Sequence, residues 1–363
     1  MTSPDIGPAP ENATAHRPRP TMQEVARRAG VGIKTVSRVV NEEPHVATGT
    51  VERVRAAIDE LGYEPDLRAG ALRRSTGSGA APSGTIGMLL GSPDNPFATS
   101  LYDVFAAKAR ERGAVVMTAS LDRDEIRERQ AIMGLLRHRV DGLLVSTPTH
   151  DLQYLNRERE HGVGMVVIDG VPTGVDCDSV NSDNRGGASL AVRHLVEHGH
   201  RSIAYLGARP DVHTIGRRRL GFLEEARRQG LRVPDAWLLD DLDADEAADE
   251  ITALLSGPDR PTALFTAQNT VTIHALRALR DLGLQNDIAL VGFDDFPLSD
   301  LVEPGVTVIA QDPQVLAEHA AERLFARIDG DRSPAQQQVF PVHLIARGSG
   351  ELPPPPAGTP TEA

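Results

Sequence analysis

The sequence predicts two architectures in one chain: a small all-α head, then a larger α/β core of two lobes, each built on a doubly wound parallel sheet. Three observations lead there. Residues 21–41 read TMQEVARRAGVGIKTVSRVVN, two short helical patterns joined at a glycine. From Thr85 onward, short apolar runs alternate with helical periodicity, as strands do when helices cover both faces of a sheet. Midway along, that pattern restarts, which makes two lobes rather than one.

In the head, Thr21 and Glu24 stand at capping-box spacing, so a hydroxyl and a carboxylate can each satisfy a helix N–H and start a helix over 22–29. Gly30 turns the chain, Val31 fills the corner, and Val36, Val39 and Val40 give a second helix its apolar face. This is a helix-turn-helix. Ile33, Lys34, Thr35, Ser37 and Arg38 project away from the valines, from the part of the helix that enters a major groove in this motif. Arg17, Arg19, Arg27, Arg28, Lys34 and Arg38 are opposed between positions 17 and 41 by Glu24 alone. A third helix is expected over 48–61, closed by Gly62 and Tyr63.

GV-x-x-x-TVSRVVN, followed by VATGTVERVRAAIDELGYEPD, resembles the lactose/galactose-repressor (LacI/GalR) family of bacterial transcription regulators, and the resemblance runs over residues 21–349. It implies a homodimeric repressor on a near-palindromic operator in double-stranded DNA. A small-molecule effector, a sugar or sugar derivative as the leading class with a purine or another small metabolite left open, would set the affinity from between two periplasmic-binding-protein-like lobes. Lys34 and Arg38 are then assigned to guanine edges, Ile33 to an apolar base contact, and Arg17 and Arg19 to phosphates. Thr21, Thr35, Ser37 and Asn41 complete the candidate DNA-binding set. Residues 65–72, PDLRAGAL, match the family's hinge helix, with Leu72 as the wedge that unstacks a base step in the minor groove. So short a helix, with Gly70 inside it, is expected to form only in the dimer on DNA.

Departures from the family are informative. Ala47 and Val51 replace the Ser and Arg usual at the start of the third helix, leaving Thr48 to take over the cap. Gly32 replaces the Ser usual before the second helix and removes a side-chain cap. Residues 75–84, STGSGAAPSG, form a Gly/Ser linker longer than the family's usual join, so ligand-to-DNA coupling is expected to be weaker than in tighter relatives.

In the core, strands are expected at TIGMLL, AVVMTA, VDGLLVS, GMVVID, SIAYLG, TALFTA and DIALVGF, with helices over 97–112, 125–136, 185–198, 215–229, 245–256 and 269–282. A closing strand is expected around 347–349. The lobes follow one another, and a ligand sits between them beyond the carboxyl ends of the strands. By family position Asp169, Arg218, Asp294 and Gln311 face that ligand. Carboxylates and a forked guanidinium suit the vicinal hydroxyls of a polyol. Gln268 and Asn269 stand where the family has Asn-Asp, Leu242 where sugar-binding relatives place an aromatic, and Phe97 and Phe296 as apolar walls.

Composition limits the alternatives. The net charge of −13 argues against indiscriminate binding of nucleic acid, and residues 1–74 hold eleven Lys/Arg against ten Asp/Glu, a locally basic reader on an acidic body. Cys177 is the single cysteine, so no intrachain disulfide exists and a cytoplasmic setting fits; Asp176 and Asp178 beside it disfavour a thiolate. Residues 1–19 lack the apolar core of a signal peptide and read as a disordered leader, 20–64 as the head, 65–84 as hinge and linker, 85–347 as the bilobed core. Residues 348–363 read as a Pro-rich disordered tail that cannot form a coiled coil, so assembly is expected to stop at a dimer. No apolar run reaches membrane-spanning length. HLVEHGH reads as a helix-to-strand join and not a metal site, and no cofactor or hydrolase motif occurs. The competing reading is a cytosolic sugar-binding or sugar-modifying protein whose N-terminal helices make protein contacts.

Overall fold

A computed structural model describes residues 20–40, 46–63, 83–91, 95–120, 124–146, 151–242 and 247–356, in two compact units that divide after position 81. The first unit is a three-helix head: α1 (Met22–Ala29), α2 (Ile33–Val40) and α3 (Thr48–Leu61). Its capping box is closed, with the Thr21 N–H donating to Glu24 Oε2 at 2.6 Å and the Glu24 N–H to Thr21 Oγ1 at 3.3 Å. Gly30 and Gly62 take φ of 66° and 62°, the left-handed conformation that ends a helix at no steric cost. Val25, Val36, Val39, Val54 and Tyr63 are buried together as the head's core. One expectation fails: Ala47, not Thr48, holds the N-cap of α3, and no side chain caps it, because Thr48 is already the first helical residue.

The second unit carries two six-stranded sheets. In chain order, the first lobe takes β1 (Thr85–Leu90), α4 (Pro96–Glu111), β2 (Val115–Ser120), α5 (Glu125–Arg137), β3 (Gly142–Val145), α6 (Asn156–Glu160), β4 (Gly164–Ile168) and β5 (Asp178–Ser182). The second lobe takes α7 (Asn184–Glu197), β6 (Ile203–Leu206), α8 (His213–Arg228), β7 (Leu238–Leu239) and α9 (Ala247–Ser256). It continues through β8 (Ala263–Thr266), α10 (Asn269–Asp281), β9 (Ala289–Phe293) and β10 (Thr307–Ala310). Then the chain goes back. α11 (Pro313–Ile328) and β11 (Gln337–Phe340) complete the first lobe, and β12 (His343–Ile345) completes the second.

The strand orders are β11-β5-β4-β3-β1-β2 and β12-β10-β9-β8-β6-β7, parallel except for β12 against β10. The lobes are therefore interleaved and not successive, a correction with a physical cause. Leu316, Ala317, Ala320 and Leu324 of α11 are buried with Phe105, Leu144 and Val166, so the first lobe has no closed core without them. Asp178, on the buried face of β5, binds α11 through Arg327 Nε at 2.7 Å and Arg323 Nη2 at 3.3 Å.

Three further boundaries differ from expectation. Positions 347–349 hold no strand; Gly348 makes a single bridge to Gly305, and Ser349–Glu351 form a 3-10 turn. The tail does not begin there either. Glu351 accepts from the Gly348 N–H at 2.6 Å and the Thr307 hydroxyl at 2.8 Å, and pairs with His194 Nε2, while His200 Nε2 bonds the Leu352 carbonyl, fixing this segment to the second lobe. At the linker's far end, the Asp141 carboxylate takes the N–H groups of Ser83 and Gly84 at 2.6 and 2.7 Å. The leader and the hinge helix lie outside the described residues.

Candidate effector cleft and DNA-reading helix

The cleft is built at strand ends. Asp169 follows β4 with φ 53°, and Asp294 follows β9 with φ 70°. Left-handed backbone costs a non-glycine residue about 1–3 kcal/mol and persists only where the surroundings hold it. Here the Asp169 N–H donates to Val180 O at 3.0 Å and the Asp294 N–H to Ile309 O at 2.9 Å, so each backbone is held in place by the neighbouring strand.

Arg218, on α8, is buried at the centre of this arrangement. Its Nε donates to Asn184 Oδ1 at 2.7 Å, and its Nη1 to the Ala267 carbonyl at 2.8 Å and Asp294 Oδ2 at 3.1 Å. Gln311 Nε2 donates to the other Asp294 oxygen at 2.6 Å. The charge of Arg218 is thus matched by Asp294. Asp169 is left over: burial pushes its carboxyl up to about 7, against the downward pull of Arg218 and with the further upward push of Asp294. Asp169 Oδ1, Gln311 Oε1 and Asn269 Oδ1 are buried acceptors with no donor among the described residues. Buried polar atoms are nearly always paired, so such a group of acceptors marks a place where donors are received.

Asn269 opens α10, fully buried, and its Nδ2 donates to Asn95 Oδ1 at 2.9 Å. Gln268 sits half-buried at the N-cap position of α10. Phe97 packs within the first lobe's core, and Phe296, half-buried, lies against the second lobe's core. Leu242 lies at the end of the segment that follows β7. Its N–H donates to Gly207 O at 2.9 Å, which seats the side chain inside the second lobe's core at 1 % exposure. Asn95 and Asn184 escaped the sequence reading. Both stand at helix starts, so locally they look like caps; their other partners come from distant parts of the chain.

In the head, Val36 and Val39 point inward while Ile33, Lys34 and Arg38 are exposed and Thr35 and Ser37 half-buried. Ile33, the first residue of α2, keeps 40 % of its surface exposed, an apolar side chain at the start of the helix. The Thr21 hydroxyl is engaged in the capping box. Arg17, Arg19, Asn41 and Leu72 lie outside the described residues. The three histidines of HLVEHGH part ways: His194 pairs with Glu351, His198 Nδ1 with the His194 carbonyl, and His200 with Thr262 and Leu352. Among the described residues no helix is long and apolar enough to cross a membrane.

A helix-turn-helix head joined to a bilobed α/β core with a polar cleft defines a DNA-binding transcription regulator. Residues 21–66 match the family described as "Bacterial regulatory proteins, lacI family", and residues 192–350 a periplasmic binding protein-like domain. The sequence is 33 % identical over 334 residues to the ribose operon repressor of Escherichia coli (strain K12), covering 91 % of this chain and 99 % of that protein. The fold is similar to the lac repressor dimer bound to operator and the anti-inducer ONPF, at a TM-score of 0.76 and 27 % identity, covering 92 % of this chain and 99 % of that one. It is also similar to the CelR–cellobiose complex, at 0.64 and 30 %, covering 91 % and 100 %. The chain belongs to the lacI family of bacterial regulatory proteins.

Proposed function

We propose that the protein is a cytoplasmic homodimeric repressor that reads a near-palindromic operator through α2. A neutral polyhydroxylated molecule, a sugar or sugar derivative, sets its grip from the cleft between the lobes. The observation that carries the ligand class is the surplus of acceptors. Arg218 is already matched by Asp294, while Asp169 Oδ1, Gln311 Oε1 and Asn269 Oδ1 meet no donor among the described residues. Hydroxyls supply donors, whereas an anion would meet two carboxylates. A ribose operon repressor and a cellobiose complex among the similar proteins agree with that chemistry.

Lys34 and Arg38 serve as the base readers, with Ile33 as an apolar base contact and Thr35 and Ser37 alongside. Two heads in a dimer match two half-sites. The regulators among the relatives support a role without catalysis. The buried Cys177 thiol, its pKa pushed up to about 12 by burial and then by Asp178 and Asp176, is no nucleophile.

The test is a gel shift with DNA from immediately upstream of the protein's own gene, with and without D-ribose, cellobiose and further neutral sugars. A shift specific to that DNA, altered by one of them, is expected. Equal binding to unrelated duplexes overturns operator reading, and indifference to every neutral sugar overturns the ligand class, since only a ligand that distinguishes two states can shift them.

A further inference from the structure

Asn95 and Asn269 come from different lobes and meet between them. Asn95 caps α4, its Oδ1 accepting from the Phe97 N–H at 3.0 Å. The same oxygen accepts from Asn269 Nδ2 at 2.9 Å. A carboxamide nitrogen cannot accept from a backbone N–H, so the cap decides which end of Asn95 faces α4. With that oxygen committed, Asn269 can present only its NH2 to Asn95, and its own Oδ1 must point elsewhere. That oxygen is buried and meets no donor among the described residues. Two residues earlier, the Ala267 carbonyl holds Arg218, so Asn269 belongs to the same floor of the cleft.

We propose that Asn95 is a positioning residue for effector recognition: by accepting from Asn269 across the lobes, it sets the Asn269 carboxamide with Oδ1 offered to the ligand, so that the closed cleft selects a hydrogen-bond donor there. The ligand half of this rests on the effector reading above; the orientation of the carboxamide does not. The consequence is an asymmetry between two residues that look equivalent. A carboxylate at 95 still caps α4 and still accepts from Asn269. A carboxylate at 269 faces an oxygen that cannot turn away.

The experiment compares Asn95→Asp and Asn269→Asp in the full-length protein by amide hydrogen exchange over segments 95–99 and 269–273, without ligand, relative to wild type at the same pH. At about pH 8, where a carboxyl is ionised, Asn269→Asp is expected to exchange roughly 3–10-fold faster, the loss of one hydrogen bond. Asn95→Asp is expected to stay near the wild-type rate. At about pH 4, near the ordinary carboxyl pKa of about 3.9, the excess exchange of Asn269→Asp should shrink, because a protonated carboxyl can again donate to Asn95 Oδ1. Equal rates in both variants, or faster exchange in Asn95→Asp, overturn the assignment.

Should Asn269→Asp not fold, Asn95→Ser keeps a cap but loses the reach to Asn269. It is expected to speed exchange at 269–273 by roughly 3–10-fold while leaving 95–99 unchanged; unchanged exchange at 269–273 overturns the assignment. Calorimetric titration with D-ribose is expected to show Asn269→Asp binding about tenfold more weakly than Asn95→Asp. If wild type does not bind D-ribose, ribose is lost as the effector, and the exchange comparison still decides the orientation.

Discussion

The guanidinium of Arg218 lies over the ring of Phe293, with Cζ 3.7 Å from the ring centroid. The electron-rich face of the ring supports a cation that is cut off from water, while Asn184, Ala267 and Asp294 take its N–H groups in the guanidinium plane. Arg218→Met fills similar space but leaves Asp294 without its cation. Urea denaturation should show a loss of about 3–5 kcal/mol, the usual cost of stranding one member of a buried pair. A loss below about 1 kcal/mol would mean that the pair is effectively solvated.

Asp169 gives the cleft a pH signature. Its folded pKa of about 7 lies above the ordinary carboxylate range, so between roughly pH 4 and 7 the folded chain keeps a proton that the unfolded chain has lost. Through that window the contribution of Asp169 to stability falls as pH rises. Asp169→Asn removes the titration, so the variant should gain on wild type progressively from about pH 4 to 7. Parallel stability curves would show that the carboxylate is not desolvated.

The basic residues of the head should separate by role. Arg38→Ala is expected to cost about 1–3 kcal/mol on operator DNA and much less on random duplex, relaxing base preference. Arg19→Ala should weaken both alike and lower the salt slope. Equal losses on both duplexes for Arg38→Ala would remove it from base reading.

Gly32 offers a stabilising change. A Cβ there meets nothing within 4 Å, and the Gly32 carbonyl already accepts from the Thr35 N–H at 2.8 Å, as an N-cap residue's does. Gly32→Ser supplies the missing side-chain acceptor and should stabilise the head by a few tenths of a kcal/mol. Thermal unfolding followed by helical circular dichroism measures it; a decrease would mean that the added hydroxyl is not used as a cap.

The parts of this molecule that were legible in its sequence are those whose cause is local. The capping box at Thr21 and Glu24, the left-handed glycines and the valine spacing of α2 are settled within a few residues of chain. The apolar runs of β1, β4, β8 and β9 were as plain. β5 was not, because DSVNS is a polar stretch that becomes a buried strand only when Arg323 and Arg327 arrive to neutralise Asp178. Nor could periodicity show that the stripe of α11 belongs to a lobe begun far earlier. In the cleft, Arg218, Asp294 and Gln311 come together through hydrogen bonds between distant parts of the chain, while the Leu242 side chain lies in the second lobe's core. Asn95, a helix cap, and Asn184, the first residue of α7, gave no sign in the sequence of the partners they meet across the fold.

The interleaving of the lobes also bears on how the chain is made. Neither lobe is a contiguous length of message. β1 leaves the ribosome early, but Leu316, Ala320 and Leu324, which close its core, follow only after the whole of Leu90 to Pro313 has been translated. At about 5–20 residues per second that wait lasts tens of seconds, during which an unfinished apolar face is open to chaperones or to neighbouring nascent chains. A premature stop anywhere before α11 therefore cannot release even one intact lobe.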